Sequence, residues 1–371
     1  MGRASDVIVL GASGYTGKLI SESLHKLGIP FTAAGRNEER LRKSLEIVAE
    51  RVGASIDAEV AAVEHEEGAL TELFSGAKVV VNVTGPFTVI GEPVVKAALN
   101  AGCHYLDTTG EQDFMLDMKA KYSDAYAEKG LVLAPATAYM WCAGGLACEV
   151  ALEDASVDSL DVTYFSTQGD PSVASAASFM RMLACPHYYL KNNELVEWER
   201  AKDLTVTVPY VSDVMAASAW GGCAEPTWYV DDERVRNCKT VIAFEDASVR
   251  EMIHGGVRQV IEMSGDDPAA RDAAAAQVAG TVFNVEPPKE DPLLQRAIIN
   301  VEAWGILTRR NVQIHMHSPY VVTGELIAAG CRHLLNEAPR EVGFQSAGKA
   351  FGHRELLSFL AEQGYLTVKE N

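Results

Sequence analysis

Val7-Ile8-Val9-Leu10-Gly11-Ala12-Ser13-Gly14-Tyr15-Thr16-Gly17, a helical run and then Phe31-Thr32-Ala33-Ala34-Gly35-Arg36 make up the stretch whose reading decides the fold. The first four residues are apolar and mostly β-branched, as in a buried strand, and Leu19, Ile20, Leu24 and Leu27 then recur at helical spacing. The glycines therefore fall at a strand-to-helix junction. Gly11 suits a tight turn, Gly14 lets the backbone approach a pyrophosphate, and Gly17 lets helix and strand pack closely. The N–H groups that open the helix then face the anion. The stretch predicts a β-α-β unit in which Gly11, Ser13, Gly14, Tyr15, Thr16 and Gly17 contact a dinucleotide.

The second strand ends at Arg36, where a protein selecting NAD usually carries an Asp or Glu for the ribose 2′-hydroxyl. A carboxylate there would repel a 2′-phosphate, whereas a guanidinium binds one through two hydrogen bonds. Arg36 thus points to NADP(H). Arg40, Arg42 and Lys43 follow closely, and a solvated helix face is the plainer reading for them.

Working outward, 371 residues suggest two domains with sizeable cores. Hydrophobic residues make up 48% and charged residues 22%, a globular composition. The 32 basic and 51 acidic residues give a formal charge of −19, which disfavours nucleic acid and anionic membranes as partners. No apolar run approaches the roughly 20 residues of a membrane span, and no signal-peptide core precedes the first strand. A cytoplasmic protein is expected. Its seven cysteines are scattered without a C-x-x-C pair, which suggests reduced, buried thiols.

After Arg36 the alternation continues. A helix capped by Asn37, a strand near 55–63, a helix near 66–74 and the apolar strand 78–83 lead to the turn Thr84-Gly85-Pro86-Phe87. A helix at 92–101, strand at 104–106, helix at 114–128 and strand at 131–134 complete a Rossmann-type doubly wound parallel sheet. Ligands of such sheets lie beyond the carboxyl ends of the strands, which adds Val83, Thr84, Gly85, Pro86, Thr109 and Gly110 to the cofactor contacts. Beyond residue 138 the texture changes. Strand-like segments at 160–165, 204–209 and 257–263, separated by irregular stretches, predict a second α+β domain on a mixed sheet. The expected organisation is 1–138 for the cofactor, 139–340 for substrate and dimerisation, and 341–371 packing back on the first domain.

Four blocks in order, Gly11 to Gly17, Ala34-Gly35-Arg36, Asn82 to Phe87 with Gly91-Glu92-Pro93-Val94-Val95, and His104 to Glu111, resemble the saccharopine dehydrogenase-like oxidoreductases, a group that includes trans-acting enoyl reductases. Gly221 to Pro226, Pro319 to Gly324 and Ala350-Phe351-Gly352 extend the similarity weakly towards the end. The resemblance implies a nicotinamide-dependent enzyme with a Rossmann domain and a mixed-sheet substrate domain. The chain departs from that pattern at Thr137 to Gly145, where related chains carry a Gly-Phe-Asp-Ser-Ile-Pro-Ser-Asp-like turn.

For chemistry, the carboxyl side of the sheet offers Asp107 and Glu111 after the fifth strand and Tyr139 and Trp141 after the sixth. Tyr139 and Asp107 are the catalytic candidates, against a pocket-lining aromatic and a loop-capping carboxylate. His315 and His317 alternate on a strand, a spacing that can bind metal, but no third ligand is evident; a second-domain pocket wall with Tyr320 is the expectation, and no metal. His187-Tyr188-Tyr189 reads as a substrate wall or as packing. Tyr365 and Lys369 are the one Tyr-x-x-x-Lys pair, in a strand-like tail rather than on the helix that short-chain dehydrogenases use. No Gly-x-Ser-x-Gly elbow and no compact Ser, His and Asp arrangement suggests a hydrolase. The leading expectation is an NADPH-dependent reductase of a C=C or C=N bond in a small organic or lipid-like substrate, acting as a homodimer. Rivals are a reductase of an amino-acid-derived imine, for which Arg181, Lys191 and Arg258 would bind carboxylates, and a non-catalytic NADP-sensing protein.

Overall fold

The computed structural model describes residues 5–167, 171–265, 267–282 and 285–371. The chain opens with β1 (Val7–Leu10), α1 (Tyr15–Lys26), β2 (Phe31–Gly35), α2 (Glu38–Val52), β3 (Ala58–Ala62) and α3 (Glu67–Phe74). It continues through β4 (Val79–Asn82), α4 (Phe87–Ile90), α5 (Glu92–Ala101), β5 (His104–Asp107), α6 (Gln112–Glu128) and β6 (Val132–Ala134). Every residue of β1, β4 and β6 is buried, as expected of strands covered on both faces. A later strand, β15 (Gly343–Phe344), joins the same sheet, whose order is β15-β6-β5-β4-β1-β2-β3 with all neighbours parallel. The strand order reverses at β1 and β4, so the loops after Leu10 and Asn82 open at the switch point.

The intervening region contains α7 (Tyr139–Ala151), β7 (Ser159–Thr167), α8 (Val173–Ala184), β8 (Tyr188–Lys191), β9 (Glu194–Glu197), β10 (Leu204–Val206) and β11 (Met215–Ser218). It goes on with α9 (Glu225–Tyr229), β12 (Asn237–Phe244), α10 (Ala247–Ser264), α11 (Pro268–Val282), β13 (Arg296–Trp304) and β14 (Arg309–His317). After α12 (Pro319–Asn336) come β15, α13 (Ala347–Phe351), α14 (His353–Glu362) and β16 (Leu366–Glu370). The second sheet runs β10-β11-β12-β7-β13-β14-β16, with β8 paired to β12 and β9 to β8. It is mixed, since β12 and β7 are parallel while β13 is antiparallel to both β7 and β14.

Two compact units result, one of residues 1–109, 116–142 and 320–362, the other of 110–115, 143–319 and 363–371. The chain thus rejoins the first unit at Tyr320 rather than at 341. The cause is α12, where Gly324 lies so close to α1 that a Cβ there would stand 2.7 Å from the Leu19 carbonyl oxygen. Ser23 and Lys26 of α1 both donate to Glu325 Oε1, at 3.3 and 3.2 Å. The last residues depart from expectation the other way: β16 pairs with β14 in the second sheet instead of packing on the first unit.

Residues 257–263, expected as a strand, belong to α10. Its buried residues Ile253, Val257, Val260 and Ser264 recur every three or four positions, so the β-branched cluster is one face of a helix. Asp246 caps that helix by accepting the Ser248 N–H.

Candidate active site

The three glycines of the first turn answer to three different constraints. Gly11 has a φ of 93°, a left-handed conformation, and a Cβ there would stand 2.8 Å from Thr84 Cγ2. Gly17 has no room either, since its Cβ would overlap the Gly11 carbonyl oxygen and lie 2.7 Å from Ala12 Cα. Gly14 differs. Its nearest atom would be the Gly11 oxygen at 3.4 Å, an ordinary contact, and its φ is −75°. Among the described residues, none makes contact close enough to require glycine at 14.

That space opens onto the start of α1, which has no side-chain cap and no acidic residue in its first turn. The N–H groups and the positive dipole end of a helix start suit a phosphate. The turn is held by Gly11 N–H donating to Ala34 O at 2.8 Å, Gly14 N–H to Gly11 O at 3.0 Å and the Ser44 hydroxyl of α2 to Ser13 O at 3.3 Å. Lys18 Nζ donates to the carbonyls of Ser13 and Gly14 at 3.4 and 3.1 Å, adding a cation behind the turn. Tyr15 is buried and meets Tyr320 of α12 edge to face, with ring centroids 5.1 Å apart.

Arg36 follows the carboxyl end of β2 and is exposed. Arg42, by contrast, is held by Glu38 at 2.7 Å one helical turn away, the solvated helix face that its position suggested. His65 lies in the same region. Burial lowers its pKa, the Ile90 carbonyl at 3.1 Å opposes that, and the Arg36 charge adds a smaller lowering.

Beyond β4, Asn82 Oδ1 accepts the Thr84 N–H at 3.0 Å and the Thr84 hydroxyl, while its Nδ2 donates to Tyr105 OH at 3.1 Å. Val83 N–H donates to Leu10 O of β1 at 2.9 Å, so the turn after β4 starts alongside β1. Asp107 is fully buried and its Oδ1 accepts the Thr109 N–H at 2.9 Å and the Ala136 N–H at 2.8 Å. Its carboxylate ties the loop after β5 to the loop after β6. Thr109 is buried in the first unit, whereas Gly110 begins the short segment assigned to the second. Tyr139 is 6% exposed and its N–H donates to Thr323 Oγ1 of α12 at 3.0 Å. The contribution of Thr323 is not legible in the sequence as a site feature, although the Pro319 to Gly324 block is the signal that could find it.

The departure at Tyr139 to Gly145 has a packing origin in its second half. A Cβ on Gly144 would overlap Tyr164 OH and Glu225 Oε1, and one on Gly145 would stand 2.8 Å from the Trp228 ring. The Gly144 N–H donates to Tyr164 OH at 2.7 Å, and that hydroxyl donates to the fully buried Glu225 at 3.0 Å. Burial pushes the Glu225 carboxyl up to about 7.

Other candidates resolve differently. Arg181 is committed to carboxylates, donating to Asp113 at 2.7 Å and Asp272 at 2.7 Å with Glu111 at 3.6 Å. His187 is buried with Nδ1 2.8 Å from Cys185 O, and Tyr189 packs on Trp198. His315 contacts Gln313 and Tyr210, His317 contacts Ser318 and Gly364, and no group of three metal-ligating side chains occurs among the described residues.

The fold does assemble one Ser, His and Asp chain that the linear sequence hid: His254 lies 3.1 Å from Ser218 Oγ through Nε2 and 3.1 Å from Asp203 Oδ1 through Nδ1. Its exposure is the reverse of a hydrolase's. Ser218 and His254 are buried, while the Asp203 side chain is 68% exposed, so the set clamps α10 to β11.

Residues 7–131 match the family described as Saccharopine dehydrogenase NADP binding domain, and residues 142–369 match the one described as Family of unknown function (DUF5938). The chain belongs to the DUF5938 family, and its first part carries a saccharopine dehydrogenase NADP binding domain. A lipid droplet localized protein of Caenorhabditis elegans is 31% identical over 193 residues, 50% of this chain and 42% of the relative. A probable mitochondrial saccharopine dehydrogenase-like oxidoreductase of Arabidopsis thaliana is 38% identical over 143 residues, 36% of this chain and 32% of the relative. The chain therefore spans under half the length of both relatives. Apo saccharopine dehydrogenase (L-Glu forming) of Saccharomyces cerevisiae superposes over 99% of this chain and 100% of its own, with a TM-score of 0.62 at 11% identity, a likeness of fold. No described helix of this saccharopine dehydrogenase-like chain is long and apolar enough to cross a membrane.

Proposed function

We propose that this chain is an NADPH-dependent reductase of a C=C or C=N bond in a small organic or lipid-like substrate. The observation that carries the reading is the space over Gly14 at an uncapped helix start, with exposed Arg36 at the end of the neighbouring strand. These residues fit a pyrophosphate and a 2′-phosphate. Gly11, Ser13, Gly14, Tyr15, Thr16 and Gly17 would hold the first, Arg36 the second, and Val83, Thr84, Gly85, Pro86, Thr109 and Gly110 the rest of the cofactor. When bound, the nicotinamide supplies the hydride.

The chain's own task is to orient the substrate, exclude water and supply a proton. Tyr139 is the proton donor in this reading, its backbone anchored by Thr323. Asp107 acts by position: its Oδ1, taken by two backbone N–H groups, sets the loops after β5 and β6. The C=C form is favoured by the resemblance to enoyl reductases and by a relative named for lipid droplets. The imine reading loses one of its three candidate carboxylate ligands, because Arg181 already faces three carboxylates. We place the protein in the cytoplasm as a homodimer. The test is NADPH oxidation by the purified chain against α,β-unsaturated acyl thioesters, enones and cyclic imines. Turnover of one class, reduced by Tyr139→Phe at least tenfold in kcat, supports the reading; NADPH binding with no turnover of any class favours the sensing protein.

A further inference from the structure

The hairpin joining β13 to β14 turns through Gly305-Ile306-Leu307-Thr308, and at its apex Ile306 is 92% exposed and Leu307 96% exposed. Two adjacent aliphatic side chains so open to water are rare on a rigid element. This element is pinned. Gly305 N–H donates to Thr308 O at 3.1 Å, Asp158 N–H to Trp304 O at 3.0 Å and Thr308 Oγ1 to Asp154 Oδ2 at 3.0 Å. A Cβ on Gly305 would overlap the Ser156 carbonyl. The tip cannot fold back onto the core of its own unit.

The order of residues around the apex follows the polarity of a lipid surface. Ile306 and Leu307 come outermost, half-buried Trp304 sits at the base of one strand, and exposed Arg309 opens the other. Insertion would put the aliphatic groups among acyl chains and the indole and guanidinium at the headgroups. Two side chains are far short of the about 800 Å² per partner that a stable protein interface buries. The nearby carboxylates of Asp154, Glu302 and Glu370 and the net charge of −19 oppose an anionic membrane. We infer that the Ile306–Leu307 tip inserts into a zwitterionic lipid surface and holds the protein there peripherally, an attachment separate from the redox site.

The test is flotation of the full chain with small phosphatidylcholine vesicles. The parent protein should float with the vesicles and Ile306→Ser/Leu307→Ser should lose about tenfold or more in partitioning, with thermal unfolding unchanged. Leu293→Ser, at the opposite end of β13 and 77% exposed in the parent, should float as the parent does. Adding phosphatidylserine should not increase binding. A parent protein that stays with the soluble fraction overturns the inference, as does a double variant that floats like the parent. A double variant that turns a dimer into a monomer without altering flotation assigns the tip to contact between copies and equally overturns it.

Discussion

Gly17 and Ala12 approach so closely that a Cβ on Gly17 would stand 2.7 Å from the Ala12 Cα, whereas Gly14, three residues earlier, would meet only one atom at ordinary contact distance. Gly17→Ala should therefore destabilise the fold by about 1–3 kcal/mol, as overpacking does. Gly14→Ala should stay within about 0.5 kcal/mol of the parent in thermal or denaturant unfolding. Its cost falls on the ligand: NADPH affinity should drop at least tenfold in a fluorescence titration. Equal loss of stability in both variants would make Gly14 a packing residue.

Arg181 separates a structural from a substrate-binding role. It is 5% exposed and faces Asp113, Asp272 and the fully buried Glu111. Arg181→Ala leaves those carboxylates uncompensated and should cost about 3–5 kcal/mol in unfolding free energy. A substrate-carboxylate ligand would instead give weaker KM at unchanged stability. Denaturant unfolding together with steady-state kinetics distinguishes the two.

Glu225 should give the second unit a specific pH dependence. Burial raises its carboxyl from 4.5 to about 7, so the folded state holds the proton more tightly than the unfolded state does. Its contribution is fully present below pH 4.5 and is lost as pH rises through 7, by roughly 3 kcal/mol at most. Glu225→Gln should flatten the parent's stability curve between those limits. Parallel curves for parent and variant would show that the carboxyl is not held protonated.

The first unit was largely legible because its signals are local. Apolar strands, helical spacing and the glycines of the first turn fix β1, α1 and β2 within thirty residues of one another, and the following strands repeat the pattern. The second unit was less so. The β-branched run at 257–263 suits a strand by composition, and only its buried period of three to four, set by packing on distant elements, makes it part of α10. The return at Tyr320 depends on Gly324 fitting against Leu19, a relation across about 300 residues that no local pattern announces. Gly144 and Gly145 likewise stand in the stretch that departs from the related pattern, and their reason lies in Tyr164, Glu225 and Trp228. Arg36 shows the opposite case, since the role proposed for it is read from its place at the end of β2 alone.

Cofactor choice at Arg36 is the central claim, and comparing NADPH with NADH affinity in the parent protein and in Arg36→Ala tests it most directly. The parent should bind NADPH at least tenfold more tightly than NADH, and Arg36→Ala should lose about 1.5–3 kcal/mol of NADPH affinity while leaving NADH binding within twofold. Equal affinity of the parent for the two cofactors, or equal loss of both in the variant, would contradict the assignment of Arg36 to the 2′-phosphate.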